Sequence, residues 1–180
     1  MVVGVFFGAN NFWYFDNGSG GSDWEIGSPM TSGLQAHRPR SLGESRTLAL
    51  SLVNRDRKLN GLSVLIDDPL LAQASQLHAK DMLSRDFYSH INPEGQSPTD
   101  RFALIGGLAG VGENIAIVTG SNGIALNHRL VEQYHKGWMY SEGHRENLLE
   151  DDYVRFGYGI AVDGLSGLAY AVQSFSRGDF

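Results

Sequence analysis

The sequence predicts an α+β domain, and two features of its patterning carry that reading. Helical periodicity, with apolar residues recurring at three- and four-residue intervals, dominates between about Arg46 and Leu149. Two-residue alternation then takes over in two adjacent runs, Tyr153 to Val162 and Leu168 to Phe175. Helices first and paired strands late point to helices packed on an antiparallel sheet.

Composition bounds the rest. The 180 residues suffice for one well-buried domain with an appended arm. Hydrophobic residues at 42% and charged residues at 19% are the balance of a folded domain rather than a disordered chain. A formal net charge of -6, with the bases scattered, argues against nucleic acid as the main partner. Cysteine is absent, which removes disulfides, a thiolate nucleophile and thiolate-bound zinc. It leaves the compartment open, because secreted bacterial proteins often lack disulfides too. No run approaches the roughly twenty apolar residues that a membrane span requires. Met1 to Ala9 is apolar like the core of a signal peptide but lacks the basic flank, and reads as the remnant of a leader or as an ordered strand.

Residues 1–45 form an aromatic, glycine-rich arm and linker, and residues 46–180 the folded domain. In the arm, Phe12 to Phe15 precede a dense turn signal from Asp16 to Asp23, followed by Trp24 and Ile26. A hairpin fits this better than a calcium loop, whose ligand spacing the carboxylates do not match. Ser28 to Arg40, with Pro29, Gly33 and Pro39, reads as a linker in which His37 is solvated. A first helix spans Arg46 to Lys58 with Leu48, Leu52 and Val53 on one face, and Gly61 stops it. Asp68 and Pro69 open the next as N-cap and first helical residue, and it runs to Arg85. Leu70, Ala74, Leu77, His78, Asp81 and Met82 lie near its buried face, with His78 read as a packed residue rather than a ligand.

Ser97-Pro98 repeats the cap-plus-proline logic for a short helix through Leu104, ended by glycines. Asn114 to Thr119 is strand-like. Asn122 to Tyr140 is amphipathic, with Ile124, Val131, Tyr134 and Trp138 on one side and His128 and His135 toward solvent. Ser141 caps a last helix, Gly143 to Leu149, and Asp163 to Gly167 link the two final strands.

Three phrases carry the chemistry: Ser89-His90, Gly112-Glu113-Asn114-Ile115-Ala116, and Trp138-Met139-Tyr140-Ser141-Glu142-Gly143-His144-Arg145. Two imidazoles and a carboxylate are the protein ligands of many catalytic zinc sites. The same groups can form a metal-free acid–base cluster, and their spacing leaves both readings open.

In order along the chain, Leu52-Val53-Asn54 with Arg57, Leu77-His78-Ala79 with Met82, these three phrases with Asn147, and Tyr170 with Gln173 and Phe175 resemble the CAP superfamily. That superfamily comprises cysteine-rich secretory proteins, antigen 5 and plant pathogenesis-related proteins, and the likeness is to its cysteine-free bacterial branch. The resemblance covers about Leu48 to Ser176. It implies an α–β–α sandwich with a central antiparallel sheet and a cleft lined by two histidines and two acids. His90 and His144 match the histidines and Glu113 the first acid. The second acid, three residues after a tryptophan, is here Ser141, with Glu142 one step on. Arg145 is read as an ion-pair partner of Glu113 or as a solvated residue, and Asn114 as structural.

The resemblance implies a secreted, periplasmic or cell-surface binding module for lipid, cell-wall or peptide ligands. His90, His144 and Glu113 are its candidate holders of a divalent, zinc-like metal. The alternative is a metal-dependent, protease-like hydrolase using the same cleft residues, His90, Glu113, Ser141, Glu142, His144 and Arg145. Ser89 and Ser141 lie near the histidines, but no nucleophile elbow is present. A third reading is architectural, a buried His–Glu bond holding the loop before Asn92 to the strand at Glu113.

Overall fold

Three strands form the middle of the sheet: β3 (Val111–Thr119), β4 (Arg155–Asp163) and β5 (Leu168–Ser176), with β5 antiparallel to both neighbours. The structure is a computed structural model and describes residues 5–7, 23–120 and 122–178, the first three as backbone only. Short strands β1 (Val5–Phe7) and β2 (Ile66–Asp67) lie at the two edges, parallel to β3 and β4, giving the order β1-β3-β5-β4-β2. The helices are α1 (Leu34–His37), α2 (Leu42–Leu59), α3 (Pro69–Arg85), α4 (Pro98–Leu104), α5 (His128–Met139) and α6 (Glu142–Leu149). The predicted hairpin around Asp16 to Asp23 lies almost wholly outside the described residues.

The strand period of two sorts the sheet into faces. Phe156, Tyr158, Ile160, Ala171 and Phe175 face α2, α5 and α6, packing with Leu52, Val53, Tyr134, Trp138 and Leu148. Ile115, Ile117, Ala161, Tyr170 and Val172 face the other way, against Ala79 and Met82 of α3. A smaller cluster of Leu71, Ala74 and Phe102 joins α3 to α4. This is the expected α–β–α arrangement, with parallel edge strands too short for periodicity to register.

Local chemistry explains where the elements start. Asp68 Oδ1 accepts from the amides of Leu70 and Leu71, and Pro69 follows as read from the sequence. The first long helix begins earlier than its periodicity suggests, because Ser41 and Glu44 form a reciprocal capping box ahead of it. Conversely, α5 begins only at His128. Asn127 caps it through Leu130, and Gly123 holds a φ of 94° before it. The apolar residues between, Ile124 and Leu126, pack on the core from a loop. Leu77, expected on the buried face of α3, is 52% exposed.

Glycines on β4 set how closely α3 approaches the sheet. A Cβ on Gly159 would lie 2.3 Å from backbone atoms of Ser75 and Gln76, and one on Gly157 2.3 Å from Leu71. The Gln76 side chain then bonds both ways with Ile160, Nε2 to its carbonyl at 2.9 Å and Oε1 from its amide at 3.0 Å. Backbone cannot yield as a side chain tip can, so Gly159→Ala is expected to cost about 2–3 kcal/mol and lower the melting temperature by about 5–10 °C. Gly143→Ala, where a Cβ meets nothing within 4 Å, should leave stability unchanged or slightly raised. Thermal unfolding of the two variants checks this contrast; equal melting temperatures would refute it.

Candidate functional site

The candidate site is organised by two consecutive residues of β3. Glu113 and Asn114 point to opposite faces of the sheet, so one strand can hold a loop on each side. On the α3 face, Glu113 Oε1 accepts from His90 Nδ1 at 2.8 Å and Oε2 accepts from Arg101 Nη2 at 2.6 Å. On the other face, Asn114 Nδ2 donates to the carbonyl of His144 at 3.1 Å. Asn147 Nδ2 donates to Asn114 Oδ1 at 2.9 Å and to the Glu113 carbonyl at 3.2 Å, closing the tie to α6. The preceding Gly112 is required by packing, since a Cβ there would strike the Tyr153 hydroxyl at 2.1 Å. Asn114 is therefore structural, as its motif suggested.

His90 sits in the loop after α3, which is stabilised by its own contacts. Arg101 Nη1 donates to the His90 carbonyl at 2.6 Å and to that of Gln96 at 3.0 Å. His78 lies buried behind, with Nε2 donating to the Ser89 carbonyl at 3.0 Å and 4.0 Å from Glu113 Oε1. Burial pushes the His78 pKa down, with Glu113 opposing, which fits a neutral ring. The Ser89 hydroxyl oxygen accepts from the amide of Ile91 at 3.1 Å. In this pair the hydrogen lies on His90 Nδ1, which leaves Nε2 as the ring nitrogen that Glu113 does not engage.

His144 is oriented in a different way. Its Nδ1 lies 2.8 Å from Ser141 Oγ, the residue standing where the resemblance implies a second acid. With no carboxylate beside it, burial lowers its pKa to about 4, and the charge of His90 contributes in the same direction. The positive end of α6 also acts this way, because His144 is in the first turn. His144 is thus a neutral imidazole near His90, and neither Nε2 has a hydrogen-bond partner among the described residues. Ser141 Oγ bonds His144 and makes no side-chain cap on α6, a bond ordinarily worth about 1 kcal/mol.

The remaining predicted residues stand apart. Glu142 is exposed on the first turn of α6. Arg145 neither pairs with Glu113 nor lies free in solvent. Its Nη1 donates to the Met139 carbonyl at 3.0 Å and its guanidinium covers the Trp24 ring at 4.4 Å. The partner of Glu113 is instead Arg101, which no motif or spacing marked. His135, expected on the solvated side of α5, is buried, with Nε2 2.6 Å from Asp56 Oδ2. Among the described residues no three His, Asp or Glu side chains are grouped to hold a metal ion. Glu113, with both oxygens engaged and its side chain 3% exposed, orients His90 and has little surface to meet a substrate. Two open hollows elsewhere, one of about 820 Å³ beside Lys80, Asp86 and Asp163 and one of about 620 Å³ beside Met30 and Lys58, contain none of these histidines or acids.

Comparison with known proteins agrees with the fold. The sequence profile of the cysteine-rich secretory protein family, CAP, matches residues 50–175. The uncharacterized protein YkwD of Bacillus subtilis is 29% identical over 126 residues, covering 70% of this chain and 46% of YkwD. An extracellular SCP-domain protein of Bacillus anthracis has a similar crystal structure, with a TM-score of 0.58 and 27% identity over 76% of this chain and 41% of that one. An outer surface protein of Borrelia burgdorferi shares the fold at a TM-score of 0.66 and 18% identity, covering 79% of this chain and 98% of that one. This chain spans less than half the length of the two Bacillus proteins. No helix among the described residues is long and apolar enough to cross a membrane. With the family profile covering most of the chain and the motif residues assembled around β3, the chain belongs to the cysteine-rich secretory protein (CAP) family.

Proposed function

We propose that this chain is a secreted, periplasmic or cell-surface binding module whose cleft engages a lipid, cell-wall or peptide ligand around a divalent cation held by His90 and His144. The observation that carries this reading is the state of the two imidazoles. Each has Nδ1 committed to the protein, to Glu113 or to Ser141, and each leaves Nε2 without a partner among the described residues. This is the outer-shell pattern that fixes ring orientation in metal-binding histidines. Two neutral nitrogens suit a borderline ion such as zinc, which would supply an exchangeable position for a carbonyl or anionic group of the ligand. In this reading Glu113 orients His90 and is not a third ligand, because both its oxygens are on protein partners. The extracellular placement is supported by the Bacillus anthracis relative.

Hydrolysis has less support, since it needs a general base within reach of water and Glu113 is shielded by His90 and Arg101. Calorimetric zinc titration at pH 7.5 tests the binding reading. The full chain is expected to take up one equivalent, and His90→Ala and His144→Ala each to lose it. Glu113→Gln should weaken it by roughly 10–100-fold. Uptake unchanged in both histidine variants would rule the site out.

A further inference from the structure

Residues 24–31 cross α2 and α5 without regular secondary structure, yet side chains of the domain receive them along their length. Glu25 exchanges two hydrogen bonds with Asn60, its amide to Oδ1 and its carbonyl from Nδ2, both at 2.8 Å. The amide of Gly27 donates to Asp56 Oδ1, and Arg55 donates to the Ser28 carbonyl. The amides of Met30 and Thr31, with the Thr31 hydroxyl, all donate to Glu132 Oε1. Ile26 is buried in the main core. A passive linker would not be met by a carboxylate from each of two helices, so this stretch is a fixed strap.

Trp24 begins the strap and lands on the corner between α5 and α6. Its ring meets Tyr140 edge-on at 5.3 Å and lies under the Arg145 guanidinium at 4.4 Å. Arg145 in turn donates to the carbonyl of Met139, the last residue of α5. Ser141 and His144 lie inside this bracket. The start of α6 has no side-chain cap, and the one side-chain bond of Ser141 Oγ among the described residues is to His144. An uncapped first turn frays readily. The bracket restrains that turn from outside, next to the residue whose imidazole must be aimed.

We infer that Trp24 and Arg145 are positioning residues for His144, clamping the first turn of α6 in place of the missing N-cap. The strap is then part of the site, and the Ser141–His144 hydrogen bond depends on a contact made from a segment far earlier in the chain. This assignment concerns the geometry at His144 and stands whether or not a cation binds there.

Amide hydrogen exchange and nitrogen chemical shifts of the imidazoles, measured on the metal-free full chain, test the clamp with Trp24→Leu, Arg145→Gln and the double variant. Each single variant is expected to speed exchange of the amides of residues 142–145 roughly tenfold. The His144 ring should shift toward a mixture of tautomers as Ser141 loosens, while amides of β4 and β5 keep their wild-type rates. The double variant should exchange faster than the worse single one but by less than the product of the two single effects, because the shared Trp24–Arg145 contact is lost in both. Unchanged rates at residues 142–145, or acceleration spread evenly over the whole domain, would overturn the assignment. Should Trp24→Leu fail to fold, the milder Arg145→Gln decides by the same criteria.

Discussion

Arg57→Met is expected to destabilise the domain by roughly 3–5 kcal/mol, enough to unfold much of the population near physiological temperature. Arg57 is fully buried near the end of α2 and has no carboxylate in hydrogen-bond contact among the described residues. Its Nε donates to the Ser63 carbonyl at 2.7 Å, Nη1 to those of Leu148 and Glu150 at 3.1 and 2.8 Å, and Nη2 to that of Tyr153 at 3.4 Å. These carbonyls include the end of α6 and the turn leading into β4, groups that a helix terminus cannot satisfy internally. Burial lowers the pKa of Arg57, opposed by the nearby charges of Asp151 and Glu150, but a guanidinium remains protonated at any ordinary pH. Methionine fills the volume but removes the donor from all four carbonyls, of which that of Leu148 is bonded in the buried interior and, among the described residues, only that of Glu150 keeps another partner, the amide of Tyr153 at 3.4 Å. Arg57→Lys should fall between, since one ammonium cannot span the same fork of acceptors. Urea unfolding at pH 7.5 gives the comparison, and a methionine variant within about 1 kcal/mol of wild type would refute the claim.

What the sequence disclosed follows the range of the physics involved. The start of α3 was legible because Asp68 and Pro69 act on amides one turn away. The β4–β5 hairpin was legible because alternation and the Asp163 turn are local, and Asp163 does accept from Leu165 and Ser166. His90, Glu113 and His144 were found through motif phrases, and two of them do meet. Arg101 was not, because its value lies in reaching a loop and a strand outside its own helix, and neither leaves a mark beside residue 101. His135 misled for a related reason. A histidine in an amphipathic helix reads as solvated until Asp56, on another helix, supplies a buried acceptor for it. The part of the strap from Ser28 onward read as a linker because its proline content says nothing of the Glu132 carboxylate that receives the amides of Met30 and Thr31.

The second large effect is a loss of stability on mild acidification, and its sign comes from histidines held neutral. Burial lowers the pKa values of His78, His135 and His144 below the ordinary value of 6.5. For His135 the desolvation of a fully buried ring outweighs the hydrogen bond and charge of Asp56, which oppose it, and the nearby Arg55 charge adds to the lowering. Above about pH 6.5 these rings are neutral in both states and contribute no pH dependence. Below it the unfolded chain takes up protons that the folded chain refuses, so stability falls until the folded pKa is passed. Asp56, whose pKa is also lowered, loses its stabilising contribution only at more acidic pH and does not offset the histidines in this window. His144 gives the clearest case, since it has no carboxylate beside it and its pKa falls to about 4. That displacement corresponds to a loss on the order of 3 kcal/mol between about pH 6.5 and 4. Urea unfolding at steps from pH 7.5 to 4.5, with chelator present to keep metal out of the balance, should show stability dropping across the range. His144→Gln, which can still bond Ser141 but cannot titrate, should show a shallower slope than wild type over the same interval. Parallel slopes for the two proteins would mean that His144 is protonated in the folded domain, and the neutral ring assigned to it here would have to be abandoned.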